Sequence, residues 1–421
     1  MNKFLRIALP IILLVVGSIL IVAVLDRDIV SSWFKYVSSD RSQPSGFVDI
    51  ESSPGELQTI GSGLTSQENA ENPLIRAKDL QISVETVVTD LLVPWSVVFT
   101  SSDRILITER SGAIRAVENG VLLESPLLTI AEVSSSGEEG LMGMVLDPDY
   151  QNNKYVYVCY AYPKDSLLVD AVLRLIDNGD HLKRDSVLID DIPAAQFHAG
   201  CELGFGPDGM LYITTGDATD RTIAQSFDSL GGKILRVNAD GTIPSDNPIA
   251  GSYIYSLGHR NPQGLAWHPE NGNLYATEHG PSTIDGPPGG DEVNFILAGE
   301  NYGWPRVSHQ ESDSAFIDPV LVFTPAVAPG SATFHDGTSM PQIKNNFFFA
   351  GLKGEGLFRV VFDPENPAKV LLSEKIPQVN VGRVREVIQG PEGVLYFTSS
   401  NRDGRGTIRD GDDSLYKLMV K

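Results

Sequence analysis

Residues Leu203-Gly-Phe-Gly-Pro-Asp-Gly-Met-Leu-Tyr-Ile213 read as an apolar strand, a Pro-Asp-Gly turn and a second apolar strand. Proline presets one backbone angle of such a turn and glycine accepts the positive φ, so two short strands fold back on each other. Working outward, related patterns recur at Val97-Val-Phe-Thr-Ser-Ser-Asp-Arg-Ile-Leu-Ile107, Met144-Val-Leu-Asp-Pro-Asp149, Leu265-Ala-Trp-His-Pro-Glu270, Phe347-Phe-Phe-Ala350 and Val387-Ile-Gln-Gly-Pro-Glu-Gly-Val-Leu-Tyr-Phe397. Third strands such as Ala113-Ile-Arg-Ala-Val117, Lys233-Ile-Leu-Arg-Val237, Leu357-Phe-Arg-Val360 and Leu415-Tyr-Lys-Leu418 follow several of them. Units of strands and turns at intervals of roughly 60 residues predict propeller blades, and six of them predict a six-bladed β-propeller. Closing the ring removes the edges that a flat sheet of so many strands would expose. Hardly any helix-period segment follows residue 80, so the fold class expected is all-β.

The remainder of the composition agrees. Forty glycines and 26 prolines in 421 residues supply many turns, and a formal net charge of -22 argues against nucleic acid or an anionic membrane surface as partner. The segment Leu5 to Leu25 is apolar except for Arg6 and Ser18, with Lys3 near its start. About 20 such residues span a bilayer, and the flanking positive charge favours a cytoplasmic amino end. The expectation is a transmembrane signal anchor over residues 1–25, a flexible linker over 26–80 and the propeller over 81–421. That places the propeller on the extracytoplasmic side of the cell membrane as a single-pass protein, touching the membrane only through the anchor. A cleaved long signal peptide, leaving a secreted chain, is the alternative. Cys159 and Cys201 are the two cysteines. One bridge between them and two buried thiols both remain open.

Polar clusters open several of the units. Gly137-Glu-Glu-Gly-Leu-Met-Gly143 approaches the second, Gln196-Phe-His-Ala-Gly-Cys-Glu202 the third, Gly258-His-Arg-Asn-Pro-Gln-Gly264 the fourth and Gly382-Arg-Val-Arg-Glu386 the sixth. Gly351-Leu-Lys-Gly-Glu-Gly356 lies in the fifth. Polar residues repeated at the heads of inner strands converge on one axial site. Arg260, Lys353, Arg383 and Arg385 form a cationic set in an acidic chain, suited to a ligand with several carboxylates. His198 has the residue type for taking a hydroxyl proton near neutral pH. Gly280-Pro281 offers carbonyl oxygens to a hard cation such as calcium. His259 reads as structural.

These motifs bring a family into view. Pro94-Trp95, Ile107-Thr-Glu-Arg110, Gly140-Leu-Met-Gly143, Gly206-Pro-Asp-Gly209, Thr215-Gly-Asp217, Gly231-Gly-Lys-Ile-Leu-Arg236, Gly258 to Gly264, Glu278-His-Gly-Pro281, Asp291-Glu-Val-Asn294 and Asn301-Tyr-Gly-Trp-Pro305 resemble, in order, the soluble pyrroloquinoline-quinone (PQQ)-dependent aldose sugar dehydrogenases, the glucose/sorbosone dehydrogenase family. The resemblance covers roughly residues 85 to 418. It implies an enzyme that oxidises the anomeric carbon of aldoses to lactones by hydride transfer to PQQ, with calcium (Ca2+) bound, and then passes electrons to an acceptor the sequence does not identify. By resemblance His198 is the catalytic base and Arg260 the second catalytic group, facing the accepting carbonyl. Glu138, Arg260, Asn261, Lys353, Arg383 and Arg385 contact the cofactor, the last three through its carboxylates. Gly280 and Pro281 ligate calcium beside the quinone, and Glu292 and Tyr302 match a second calcium site.

The chain departs from the family around His198, where Cys201 and Glu202 replace a small residue and an arginine. Glu202 is therefore expected to act on the electrostatics of the base. Gln225 is a further candidate cofactor contact, and sugar preference does not carry over. Two other functions fit a propeller: a binding module like the hedgehog-interacting-protein branch, and a calcium-dependent hydrolase of the lactonase type. The first needs none of His198, Arg260, Asn261, Lys353, Arg383 and Arg385 together. The second needs axial carboxylates where this chain has mainly cations.

Overall fold

A computed structural model describes residues 74–421. The expected anchor and most of the expected linker lie outside the described residues, among which no helix is long and apolar enough to cross a membrane. The described chain is an all-β ring of six antiparallel sheets, the six-bladed propeller that the repeats predict. The innermost strands, blade 1 to blade 6, are Pro94–Ser101, Leu141–Leu146, Gly200–Phe205, Pro262–Trp267, Pro329–Phe334 and Val384–Gln389. Neighbouring innermost strands adjoin all the way round, blade 6 meeting blade 1. Closure comes from the sequence ends. Ile82–Val88 is the outermost strand of blade 6 and pairs with the C-terminal Leu415–Val420, with Ile82 opposite Val420. Before it, Ala77 is fully buried and donates its N–H to Glu374 of blade 5 at 2.8 Å.

The core is six seams between blades rather than one central cluster. Blades 2 and 3 share Tyr157, Val172, Leu203 and Ile213, for example. Blades 4 and 5 share an aromatic seam in which Tyr275 stacks on Phe362 with centroids 4.3 Å apart. At the axis the wedges converge until only glycine fits in places: a Cβ on Gly330 would lie 2.4 Å from the carbonyl oxygen of Arg385 in the next blade. Cys159 and Cys201 form a disulfide with Cα atoms 6.1 Å apart, tying the second strand of blade 2 to the innermost strand of blade 3. The bridge spans 42 residues, and constraining a loop of that length in the unfolded chain contributes about 4 kcal/mol at most. Replacing both cysteines by serine is expected to cost about 2–4 kcal/mol in denaturant unfolding, with no further loss on adding reductant.

In blade 5 the structure corrects the sequence reading. Its innermost strand is Pro329–Phe334, and Phe347–Gly351, taken as the head of the unit, is the second strand. Pro-Gly-Ser-Ala-Thr carries no apolar run, whereas Phe347-Phe-Phe does, so the stronger signal fell one strand late.

Two features position the site. The start of each innermost strand pairs with the end of the second strand: Gly200 with Thr215, Pro262 with Glu278, Val384 with Ser399. Residues leading into innermost strands and turns between second and third strands therefore share one rim. In addition, the register shifts near the entry of every innermost strand, for instance between Gly200 and Leu203 and between Val384 and Glu386. Bulges of this kind re-aim side chains where a regular pleat would not.

Candidate functional site

His198 precedes the innermost strand of blade 3 and adopts φ 59°. A left-handed histidine persists only where its surroundings fix it. The turn Thr215-Gly216-Asp217 lies directly against it, so closely that a Cβ on Gly216 would sit 1.7 Å from the His198 carbonyl oxygen. Asp217 Oδ1 meets His198 Nδ1 at 2.7 Å, and its backbone N–H donates to the Arg260 carbonyl at 2.8 Å. The other carboxylate oxygen accepts from the Trp304 indole at 2.8 Å. A carboxylate can only accept here, so Nδ1 carries the hydrogen and Nε2 keeps its lone pair.

That lone pair faces Arg260, whose Nη2 lies 2.8 Å away and can only donate. Arg260 is buried and held from two further sides: its Nε donates to Asp285 at 2.7 Å and its Nη1 to the His279 carbonyl at 3.2 Å. Its guanidinium also lies over Trp304, 5.5 Å from the ring centroid. The adjacent Asn261 is fully buried, and its Oδ1 accepts from Gly200 N–H at 3.1 Å and Gln263 at 3.2 Å. Its amide nitrogen has no hydrogen-bond partner among the described residues. A buried donor left unpaired costs about 1–3 kcal/mol, so its position suits an acceptor from a ligand.

Arg385 reaches in from blade 6, donating to Gln263 at 2.5 Å and lying 5.3 Å from the centroid of Trp95. It is buried and has no carboxylate at ion-pair distance among the described residues. Burial lowers its guanidinium to about 10, a shift that Asp403 and Glu138 oppose. Arg383 is paired with Asp403 at 2.6 Å. Glu138 pairs with Arg405, and although burial disfavours its charge, His279, Arg405 and His198 outweigh that and hold it at about 2. Lys353 sits on the blade 5 turn at this rim, exposed and without an ion pair among the described residues. The structure thus brings His198, Arg260, Asn261, Glu138, Arg383 and Arg385 to one end of the axis, with Lys353 at its edge.

The proposed calcium positions differ in how free they are. The Pro281 carbonyl accepts from Gly289 N–H at 3.2 Å, and Gly280 donates its N–H to Asp291 at 2.8 Å. Glu292 lies across the strand pair from Glu278 and accepts from Asn294 at 3.0 Å, while Asn294 Oδ1 has no partner among the described residues. Burial, then the Glu278 charge, pushes the Glu292 carboxyl well above the usual carboxylate range. The Tyr302 hydroxyl is already used, donating to Phe295 O at 2.7 Å and accepting from Leu297 N–H at 2.8 Å, so only its carbonyl is left for a cation. His259, stacked on Tyr302, bonds Glu278 at 2.8 Å and Ser256 at 2.9 Å and is structural.

Two sequence expectations change. Glu202 does not reach the base; its charge interacts with Glu386 and Arg385, and Asp217 is the carboxylate on His198. The register shift between Gly200 and Leu203 re-aims the side chains there, so closeness to His198 in sequence does not place Glu202 on the imidazole. Gln225 has both ends of its amide taken by blade 4, donating to Asn301 at 3.0 Å and Trp304 O at 2.7 Å and accepting from Asn301 at 2.8 Å. Sequence reasoning missed Asp217, Gln263, Asp285 and Trp304 as positioning residues. The signals were Thr215-Gly-Asp217 and Asn301-Tyr-Gly-Trp304, motifs noted without a role.

Known proteins place the chain in a family. The family described as Glucose / Sorbosone dehydrogenase matches residues 91–412. The chain is 30% identical over 347 residues to Aldose sugar dehydrogenase YliI of Escherichia coli strain K12, covering 77% of this chain and 91% of that one. It is 31% identical over 442 residues to Quinoprotein glucose dehydrogenase B of Acinetobacter calcoaceticus, covering 82% and 90%. The PQQ-bound aldose sugar dehydrogenase of Streptomyces coelicolor superposes with a TM-score of 0.72 at 33% identity, over 81% of this chain and 99% of that one. A match across most of the propeller and a shared fold at this identity lead to one conclusion: the chain belongs to the glucose/sorbosone dehydrogenase family.

Proposed function

We propose that the protein is an exported, membrane-tethered PQQ-dependent sugar dehydrogenase that oxidises the anomeric carbon of aldoses to lactones. The observation that carries this reading is the single constellation of an oriented imidazole, a buried arginine beside it, the unpartnered Asn261 amide nitrogen and the buried Arg385 guanidinium, which has no carboxylate at ion-pair distance among the described residues. Asn261 Nδ2 and the Arg385 guanidinium fit the carbonyl and carboxylate groups of a flat quinone, with Lys353 and Arg383 at its margin. PQQ, when bound, supplies the two-electron acceptor for the hydride leaving the sugar.

When the anomeric hydroxyl displaces Arg260 Nη2 from His198 Nε2, that nitrogen takes the hydroxyl proton, which pushes electron density onto the anomeric carbon and favours hydride departure. Asp217 holds the ring in the required tautomer and stabilises the imidazolium that forms. Arg260, fixed by Asp285, presents fixed positive charge where negative charge develops, with no reorganisation needed during the reaction. Gly280 and Pro281 would hold a calcium through carbonyl oxygens, and Glu292 with the Tyr302 carbonyl a second one.

The Cys159–Cys201 bridge supports export, since disulfides persist in oxidising compartments. The apolar run from Leu5 to Leu25 supports the tether. The product tests the reaction: incubating PQQ- and calcium-loaded full chain with an aldose and a dye should yield a lactone trappable by hydroxylamine. Dye reduction with an unoxidised anomeric carbon would refute it. Arg385→Met should weaken PQQ binding about 10–100-fold in a fluorescence titration, the loss expected for a charged hydrogen bond.

A further inference from the structure

Blade 2 carries a second polar centre that the reaction does not use. Asp170 and Glu139 are both 0% exposed. Among the described residues neither oxygen of Asp170 has a hydrogen-bond partner, and Glu139 Oε2 has none either. The remaining oxygen, Glu139 Oε1, accepts from Ser136 N–H at 2.9 Å, Ser136 Oγ at 2.9 Å and Ser134 Oγ at 3.3 Å. Asp170 pairs across the strands with Ala161, whose N–H donates to the Gly140 carbonyl at 2.9 Å and whose carbonyl accepts from Ser134 N–H at 2.9 Å, so the loop carrying Glu139 lies beside it. Glu139 is the charged group that acts on Asp170, and no basic side chain pairs with either among the described residues. Two buried carboxylates with three idle oxygens are costly unless a cation joins them or a proton neutralises them, and a proton alone would still leave acceptor oxygens unused.

We infer that Asp170 and Glu139 form a binding site for a hard divalent cation of the calcium type. Asp170 supplies two carboxylate oxygens and Glu139 a third; carbonyls or waters complete such a shell. The ligand type excludes a soft metal, because the thiols on this seam are joined in the disulfide.

The location gives the site a consequence. Asp170 pairs with Ala161, two residues along the strand from Cys159, so it lies on the same seam between blades 2 and 3 as the disulfide. Glu139 belongs to the loop that rests on the segment leading to His198. Glu138 N–H donates to the Gln196 carbonyl at 2.7 Å, and Gln196 Nε2 donates to Ser136 Oγ at 3.3 Å. A Cβ on Gly137 would lie 2.1 Å from that carbonyl and 2.6 Å from Glu139 Oε2, so only glycine leaves the gap open. A cation here braces the loop carrying Glu138 against the segment carrying His198.

Equilibrium dialysis of chelator-stripped full chain against calcium chloride tests this directly, because bound calcium is counted per chain. Asp170→Asn with Glu139→Gln should bind one calcium fewer than the parent. Asp170→Asn alone should weaken that site at least tenfold, should the double variant fail to fold. Glu292→Gln, which addresses the calcium proposed with Tyr302, should lose a different site and leave this one intact, so the two ideas fail separately. An unchanged calcium count in the folded Asp170 variants overturns the inference and leaves the pair sharing a proton or water.

Discussion

Replacing His198 by glutamine should lower turnover of the PQQ-loaded enzyme by about 10²–10⁴-fold, the contribution of a positioned general base. Glutamine fills a similar volume and can still bond Asp217, but it offers no lone pair able to take a hydroxyl proton at neutral pH. Arg260 keeps its bonds to Asp285 and His279 O, and Arg385 keeps Gln263. Quinone retained after desalting should therefore be unchanged. Steady-state dye reduction and the absorbance of retained quinone separate the two effects. A variant that loses its quinone instead would assign His198 to binding.

The second large effect is expected from a residue with no functional group. Gly216→Ala should reduce kcat/KM by about 100-fold, because a Cβ at 1.7 Å from the His198 carbonyl forces the two backbones apart. Displacements near 1 Å at a reacting group have costs of that order. The same overpacking should lower stability by about 1–3 kcal/mol in denaturant unfolding. Since Gly216 also carries the backbone into Asp217, the imidazole would lose both its seat and its orienting carboxylate. Activity within a few-fold of the parent would mean that the turn can shift without disturbing the base.

The ring was legible in the sequence because each blade repeats strand, turn and strand, and the turns carry Gly, Pro and Asp at set places. Blade 5 was misplaced by one strand because its innermost strand is small and polar, Pro329-Gly-Ser-Ala-Thr-Phe334, at a point where bulk near the axis is excluded. His198, Arg260, Asn261 and Arg385 were visible because they precede or head innermost strands and break the apolar pattern there. Their partners were not. Asp217, Asp285 and Trp304 arrive from turns and loops at the same rim, and nothing in local sequence says that one of them will bond a side chain 87 or 25 residues away. Register decides that, and register becomes readable only in three dimensions. Glu202 shows the reverse error, since nearness to His198 in sequence placed it beside the base, whereas the charged groups that act on it are Glu386 and Arg385.

The most direct test is a single turnover without any external acceptor. Full chain loaded with PQQ and calcium would be mixed anaerobically with an aldose while the quinone absorbance is followed. The parent protein should bleach it in one stoichiometric phase, and His198→Gln should leave it intact with the quinone still bound. Persistent quinone absorbance in the parent with every aldose offered, or bleaching at equal rates in both proteins, would contradict a reaction driven by the Asp217–His198–Arg260 constellation.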